Sequence, residues 1–191
     1  PMPSHHVIAV LDADVLVPIL SCDLLLSTFE QDVYQPVVTP KILGEVEHTL
    51  IDDFPQFDPA TLVRRAAQIA EALKYHTIPD PRIPATVKAT VNAKDHHVAA
   101  AGVTAKANLI VTNDKRLRRE ANQLGQGLRA VAADDFMVAL DADKPADIDQ
   151  APGSMIAKRV RRPVTRAELL DQLAPAFPKF ADQAKRRQEQ A

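Results

Sequence analysis

The sequence predicts an α/β fold with a mainly parallel sheet and a helical C-terminal extension. Three observations carry that reading. Short strand-like runs at residues 7–11, 34–39, 108–112 and 128–132 are each separated from the next by helical periodicity. Strand and helix thus alternate, which is the pattern of a parallel sheet with helices packed on it. Two of the runs also stop at acids: Asp12 follows the first, and Asp114 stands two residues beyond the third. Ligands of open parallel sheets bind beyond the carboxyl ends of the strands, so acids there are candidates for chemistry.

Each element has its own signal. After the strand at 7–11, apolar residues recur at helical spacing over 15–29, and a strand over 34–39 completes a βαβ unit. Pro40 suits the first turn of a helix, where its missing N–H costs nothing, and Ile42, Leu43, Val46 and Leu50 supply the apolar stripe. Asp58-Pro59 reads as N-cap and first helical residue of a helix reaching about residue 75. Three prolines within 76–84 exclude regular helix there. Asn92 reads as the next N-cap, which puts Asp95 at the third helical position of a segment running to 107, where the helix dipole favours an anion. A basic helix over 115–124, the strand at 128–132 and a helix over 134–140 follow.

Residues 142–164 change to Asp, Pro, Ala and then Lys158-Arg-Val-Arg-Arg162, and read as a linker with a basic arm. Thr165 and Glu168 form a capping box ahead of Leu169, Leu170 and Leu173, so a helical extension is expected over 165–191. The predicted organisation is therefore a main domain at 7–141, the linker at 142–164 and the extension.

Composition bounds the function. No apolar run approaches the ~20 residues of a membrane span, and residues 1–6 lack the basic-then-apolar layout of a secretory signal; a cytoplasmic protein is expected. Cys22 is the single cysteine, so neither an internal disulfide nor a cysteine-rich zinc site is available. The net charge of −2 is uneven: residues 152–191 carry nine Lys or Arg against four acids, and the preceding residues 14 against 21. An acidic body with a basic tail suits a metal cleft with an arm for phosphates or for an acidic partner, and equally two ordinary solvated surfaces.

The acids gain meaning from their context. Val10-Leu-Asp12-Ala-Asp14, Thr39-Pro-Lys-Ile-Leu-Gly-Glu45, Asp95-His-His-Val-Ala and Ile110-Val-Thr-Asn-Asp114, in that order over roughly 7–140, resemble the PIN-domain family and, within it, the VapC-type toxin ribonucleases, including a longer subset with a C-terminal extension. The resemblance implies a three-layer α/β/α sandwich and an endoribonuclease that uses Mg²⁺, with Mn²⁺ able to substitute. It implies catalytic roles for Asp12, Glu45, Asp95 and Asp114, with Asp12, Asp95 and Asp114 as metal ligands. Thr112, Asn113, Lys115 and Arg116 would meet the substrate, and Arg118 or Arg119 could join them. RNA, a cognate antitoxin and a second copy of the chain are the implied partners.

The implied chemistry is physically coherent. Crowded carboxylates repel one another unless a cation joins them, and hard cations such as Mg²⁺ prefer oxygen ligands. Glu47 competes with Glu45, but the spacing from Pro40 favours Glu45. Two positions depart from the family pattern: Asp14 stands where Asn or Ser is common, and Arg116 where an acid is often found. His96 and His97 read as hydrogen-bonded or surface residues rather than ligands, and Cys22 as a small core residue.

Two other functions fit parts of the pattern. Asp12-x-Asp14 after an apolar strand also resembles the haloacid-dehalogenase-like phosphatases, in which Asp12 would be the nucleophile. That family's glycine after the second Asp is missing here. A PIN-like domain kept only to bind RNA or protein is the non-enzymatic alternative.

Overall fold

A computed structural model describes residues 7–125 and 127–189; the N-terminal residues 1–6, read above for a secretory signal, lie outside them. In chain order the first half contains β1 (Val7–Leu11), α1 (Ala13–Leu16), α2 (Ile19–Phe29), β2 (Tyr34–Val37), α3 (Pro40–Asp53), α4 (Pro59–Ala72) and α5 (Ala85–Thr90). The second contains α6 (His96–Thr104), β3 (Leu109–Val111), α7 (Lys115–Ala121), β4 (Arg129–Val131), α8 (Ala133–Asp143), α9 (Pro145–Ile148), α10 (Gln150–Ala157), α11 (Arg166–Leu173) and α12 (Pro178–Glu189). The expected α/β class is observed: one four-stranded sheet of order β2-β1-β3-β4, with many helices and a helical C-terminal extension. No helix of the described residues is long and apolar enough to cross a membrane.

The chain divides into two compact units, residues 1–17 with 35–131, and residues 18–34 with 132–191. In the first, β1 pairs with β3 in parallel, Leu11 opposite Val111, and β3 pairs in parallel with β4, Val111 opposite Val131. Ala9, Val10, Leu11, Ile110 and Val111 are fully buried, which is why these runs carry no polar residue. α6 packs on β1 and β3. Its alanines and Gly102 permit a close approach, since a Cβ on Gly102 would meet Leu128 Cδ2 at 2.9 Å. On α3 the buried stripe is Ile42, Val46 and Leu50, and Leu62, Ala66 and Ile69 form the matching face of α4, which packs on α3.

Three local expectations are corrected. The helix expected over 15–29 is broken between Leu16 and Ile19, because Pro18 has no N–H to donate and adopts an extended conformation with ψ 126°. The second strand stops at Val37. Val38 makes a lone parallel bridge to Thr77, while Thr39 turns out to be the N-cap of α3, its hydroxyl accepting from the Ile42 N–H at 3.3 Å. Asn92 caps a single 3-10 turn, Ala93–Asp95, and the α-helix starts one residue after Asp95.

The second unit corrects the reading of the tail. Where a linker was expected, α9 and α10 form, with Ile148, Ala151 and Met155 buried along one side. Their prolines hid them: Pro145 and Pro152 both lie in first helical turns, where no N–H is needed. α10 packs against α2, and α12 against α8. The capping box of α11 is present as expected. Leu169, Leu170, Leu173, Phe177 and Phe180 are at most 1 % exposed, so this apolar stripe is core.

The basic tail is likewise engaged within its own unit. Lys158 pairs with Glu30, Lys185 with Asp171, and Arg187 with the buried Asp141 and with Asp149, which also receives Arg166. Asp134 accepts from the N–H groups of Lys179 (3.2 Å) and Phe180 (3.0 Å) and so caps α12.

Candidate active site

Three adjacent chain segments meet at the carboxyl ends of β1 and β3. Asp12 extends the ladder by donating its N–H to the Val111 carbonyl (3.1 Å), and Thr112 does the same to Val131 (3.0 Å). The two side chains are thereby set side by side. Thr112 Oγ1 donates to Asp12 Oδ2 at 2.7 Å, and Asp12 Oδ1 accepts from the Ala13 N–H at 2.7 Å, capping α1. Asp14, in the first turn of α1, points Oδ2 at the same hydroxyl (3.2 Å) and at the Asn113 N–H (2.8 Å). Its Oδ1 is buried with no hydrogen-bond partner.

The environment raises the pKa of both acids. Burial pushes the Asp12 carboxyl above the ordinary carboxylate range, against the opposing hydrogen bonds from Thr112 and Ala13. Burial, and next the charge of Asp12, push Asp14 up to about 7. A hydroxyl has one proton, so Thr112 cannot donate to both acids at once. Asp12 holds the shorter contact, and a proton on Asp14 would relieve the second.

Asp114 and Asp95 stand in a different setting. Asp114 is the N-cap of α7: Oδ1 accepts from the N–H groups of Arg116 (2.7 Å) and Leu117 (3.0 Å), and Oδ2 from Lys94 Nζ (3.2 Å). The Leu117 N–H foremost, with Lys94 and Arg116, holds its carboxyl below the ordinary range. Asp95 Oδ2 accepts from Arg116 Nη2 at 3.2 Å, and Lys94 Nζ lies 3.9 Å from its Oδ1. Glu45, on α3, is held at 2.9 Å by Nε2 of the buried His97, whose Nδ1 has no partner. Glu47 is exposed.

The sequence-predicted residues thus fall into three groups: Asp12 with Asp14 and Thr112, Asp95 with Asp114 through two cations, and Glu45 with His97. Among the described residues, no group of three or more His, Cys, Asp or Glu is assembled to hold a metal ion. The reason is visible in the contacts, since Lys94 and Arg116 already occupy Asp95 and Asp114. The Asp12–Asp14 end does suit a divalent cation. It offers hard carboxylate oxygens, one of them buried and unpartnered, whose hydrogen bonds come from a neutral hydroxyl and backbone N–H groups.

Among the residues expected to meet substrate, Thr112 is fully buried and faces the acids, while Asn113 and Lys115 are exposed. Arg116 is drawn inward to Asp95, and Arg118 Nη1 donates to the Thr112 carbonyl at 2.8 Å, which makes it a strut of the strand end. Sequence reasoning missed the part of Lys94 and the pairing of His97 with Glu45. His97 follows Asp95 by two residues, but its partner is 52 residues away, and spacing carries no signal over that distance.

A family model described as PIN domain matches residues 8–116, more than half of the chain, and spans Asp12, Asp14, Glu45, Asp95 and Asp114. No curated protein and no solved structure gives a significant match. PIN domains are generally nucleases that use divalent metal ions. Its ordered acids, its parallel sheet and this match agree, and the chain belongs to the PIN-domain family.

Proposed function

We propose that this protein is a divalent-metal-dependent endoribonuclease using Mg²⁺, or Mn²⁺ in its place, and the toxin of a toxin–antitoxin pair. The observation that carries the reading is the burial of Asp12 beside Asp14 on one threonine hydroxyl at the strand ends, with Asp14 Oδ1 unpartnered. Two adjacent acids, one buried and the other half-buried, are unfavourable in a resting protein and become favourable when a cation joins them. Asp12 would be the principal ligand, with Asp95 and Asp114 contributing further oxygens at the rim. When bound, the ion supplies a water of lowered pKa and neutralises charge developing on the phosphodiester.

The chain's own residues divide the remaining work. Thr112 orients Asp12, and Asn113 orients Asp14 through its backbone N–H. Glu45, 40 % exposed and steadied by His97, would either help hold the ion through a water or take a proton from the attacking water. Lys115 and Arg119, both exposed, are placed to meet RNA phosphates. In the phosphatase alternative Asp12 attacks phosphorus; the PIN-domain match over residues 8–116 favours the nuclease.

An antitoxin and a second copy of the chain complete this reading, in the cytoplasm. Ile51 on α3, Phe57 beyond it and Val63 on α4 are 36, 50 and 41 % exposed, an apolar set suited to self-association. The deciding experiment incubates the purified protein with RNA and Mg²⁺ or Mn²⁺. Cleavage abolished by EDTA and restored by added Mg²⁺ is expected, and undiminished cleavage in EDTA overturns the mechanism.

A further inference from the structure

Two halves of the site differ in how their charge is balanced. The hydrogen-bond partners of Asp12 and Asp14 are neutral: the Thr112 hydroxyl and the N–H groups of Ala13 and Asn113. Asp95 and Asp114, in contrast, face two full cations at ion-pair distance. Asp95, Asp114 and the neighbouring Glu120 with Lys94, Arg116 and Arg119 sum to zero, which leaves no net charge to attract another dication.

The guanidinium is also fixed in place. The backbone of Arg116 is pinned because its N–H donates to Asp114 Oδ1 at 2.7 Å. Its side chain lies between Asp95 (3.2 Å) and Glu120, whose Oε1 is 4.0 Å from Nε. Glu120 is in turn held by the Asn92 N–H at 2.8 Å. An arginine stays charged at any working pH and is weakly hydrated, so such a scaffold can hold it beside acids as a permanent positive charge.

We propose that Arg116 and Lys94 take the place of a second divalent cation, so that this site operates with one ion on its Asp12–Asp14 side. The inference rests on the metal-dependent nuclease reading and specifies how many ions that reading requires. Arg116 is the principal stand-in because its guanidinium donates to Asp95 while its backbone N–H is held by Asp114; Lys94, 59 % exposed, bridges Asp95 and Asp114 from solvent.

Stoichiometry tests it directly. EDTA-stripped full-length protein is titrated with MnCl₂ by calorimetry, with bound Mn²⁺ counted in parallel by electron paramagnetic resonance. The wild type is expected to bind one ion per chain. Arg116→Asp, which removes the guanidinium and supplies a carboxylate, is expected to bind two, and Asp12→Asn to lose the first. Two ions in the wild type overturn the proposal and leave the nuclease reading intact. One ion in an Arg116→Asp variant with wild-type circular dichroism also overturns it. No ion in the wild type overturns the proposal together with the reading on which it rests. Should Arg116→Asp fail to fold, the wild-type count still decides.

Discussion

The Thr112 hydroxyl donates to Asp12 Oδ2 across 2.7 Å, joining residues 100 apart in sequence at the ends of two adjacent parallel strands. Removing one partner of a buried bond to a charged group leaves the other unsatisfied, at a cost of about 1–3 kcal/mol. Thr112→Val is therefore expected to lower metal-free stability by that amount and to reduce cleavage, and Thr112→Ser to restore both. Chemical denaturation of the two variants, together with their single-turnover rates, checks this.

Asp14 gives a pH dependence of definite sign. Its folded value, about 7, lies above its ordinary 3.8, so the unfolded chain ionises first as pH rises. Its contribution to stability is thus complete below about 4 and is lost as pH climbs toward 7, by on the order of a few kcal/mol. Urea denaturation of EDTA-treated protein at pH 5 and pH 8 should show this loss, and Asp14→Asn should flatten it. Saturating Mg²⁺ should flatten it too, because a cation then stabilises the ionised form. A loss unchanged in Asp14→Asn would assign it to another group.

Asp114 caps α7 in the structure and is a metal ligand in the proposed function, and substitution can separate the two. As a cap it needs only a side-chain oxygen, which Asn supplies; as a metal ligand it needs a charge. Asp114→Asn is expected to lower cleavage by orders of magnitude with an apo melting temperature close to wild type. Asp114→Ala is expected to lose the activity and also about 1 kcal/mol of stability. Asp12→Asn and Asp95→Asn should likewise abolish cleavage without unfolding the protein. Strongly lowered apo melting temperatures in all three Asn variants would make these acids structural.

The tail yields a prediction opposite to that of a detachable arm. Leu170 is fully buried in the second unit, so Leu170→Ala should cost about 2–5 kcal/mol of that unit's stability. Deleting residues 165–191 should expose α8 and the rest of that core. A cooperative melt unchanged by the deletion would show that α11 and α12 are dispensable.

The strands were legible because Ala9 to Leu11 of β1 and Ile110 and Val111 of β3 obey one demand, burial on both faces, and the acids beyond them inherit their place from chain direction alone. Glu45 was legible for a related reason, since Pro40 fixes the start of α3 and so its register. What stayed hidden depends on contacts between distant segments. Lys94 looks like any surface lysine until Asp114 is brought beside it, and Arg116 reads as a phosphate contact until Asp95 is found 3.2 Å away. The helices at 145–157 were hidden by local chemistry, because Pro and Asp suppress the periodicity that Ile148, Ala151 and Met155 only just supply.

The break at Pro18 also sets an order of events during synthesis. The segment 18–34 belongs to the same compact unit as residues 132–191, and its α2 packs on α10, yet residues 35–131 of the other unit are translated in between. At about 5–20 residues per second, α2 waits roughly 5–20 s for its partners to emerge. Through that interval Cys22, Leu24 and Leu25, later buried, face solvent or a chaperone. A nascent chain stalled after residue 131 would therefore carry both a complete set of site acids and an unsheltered apolar helix, and a holding chaperone that recognises this protein should do so at α2.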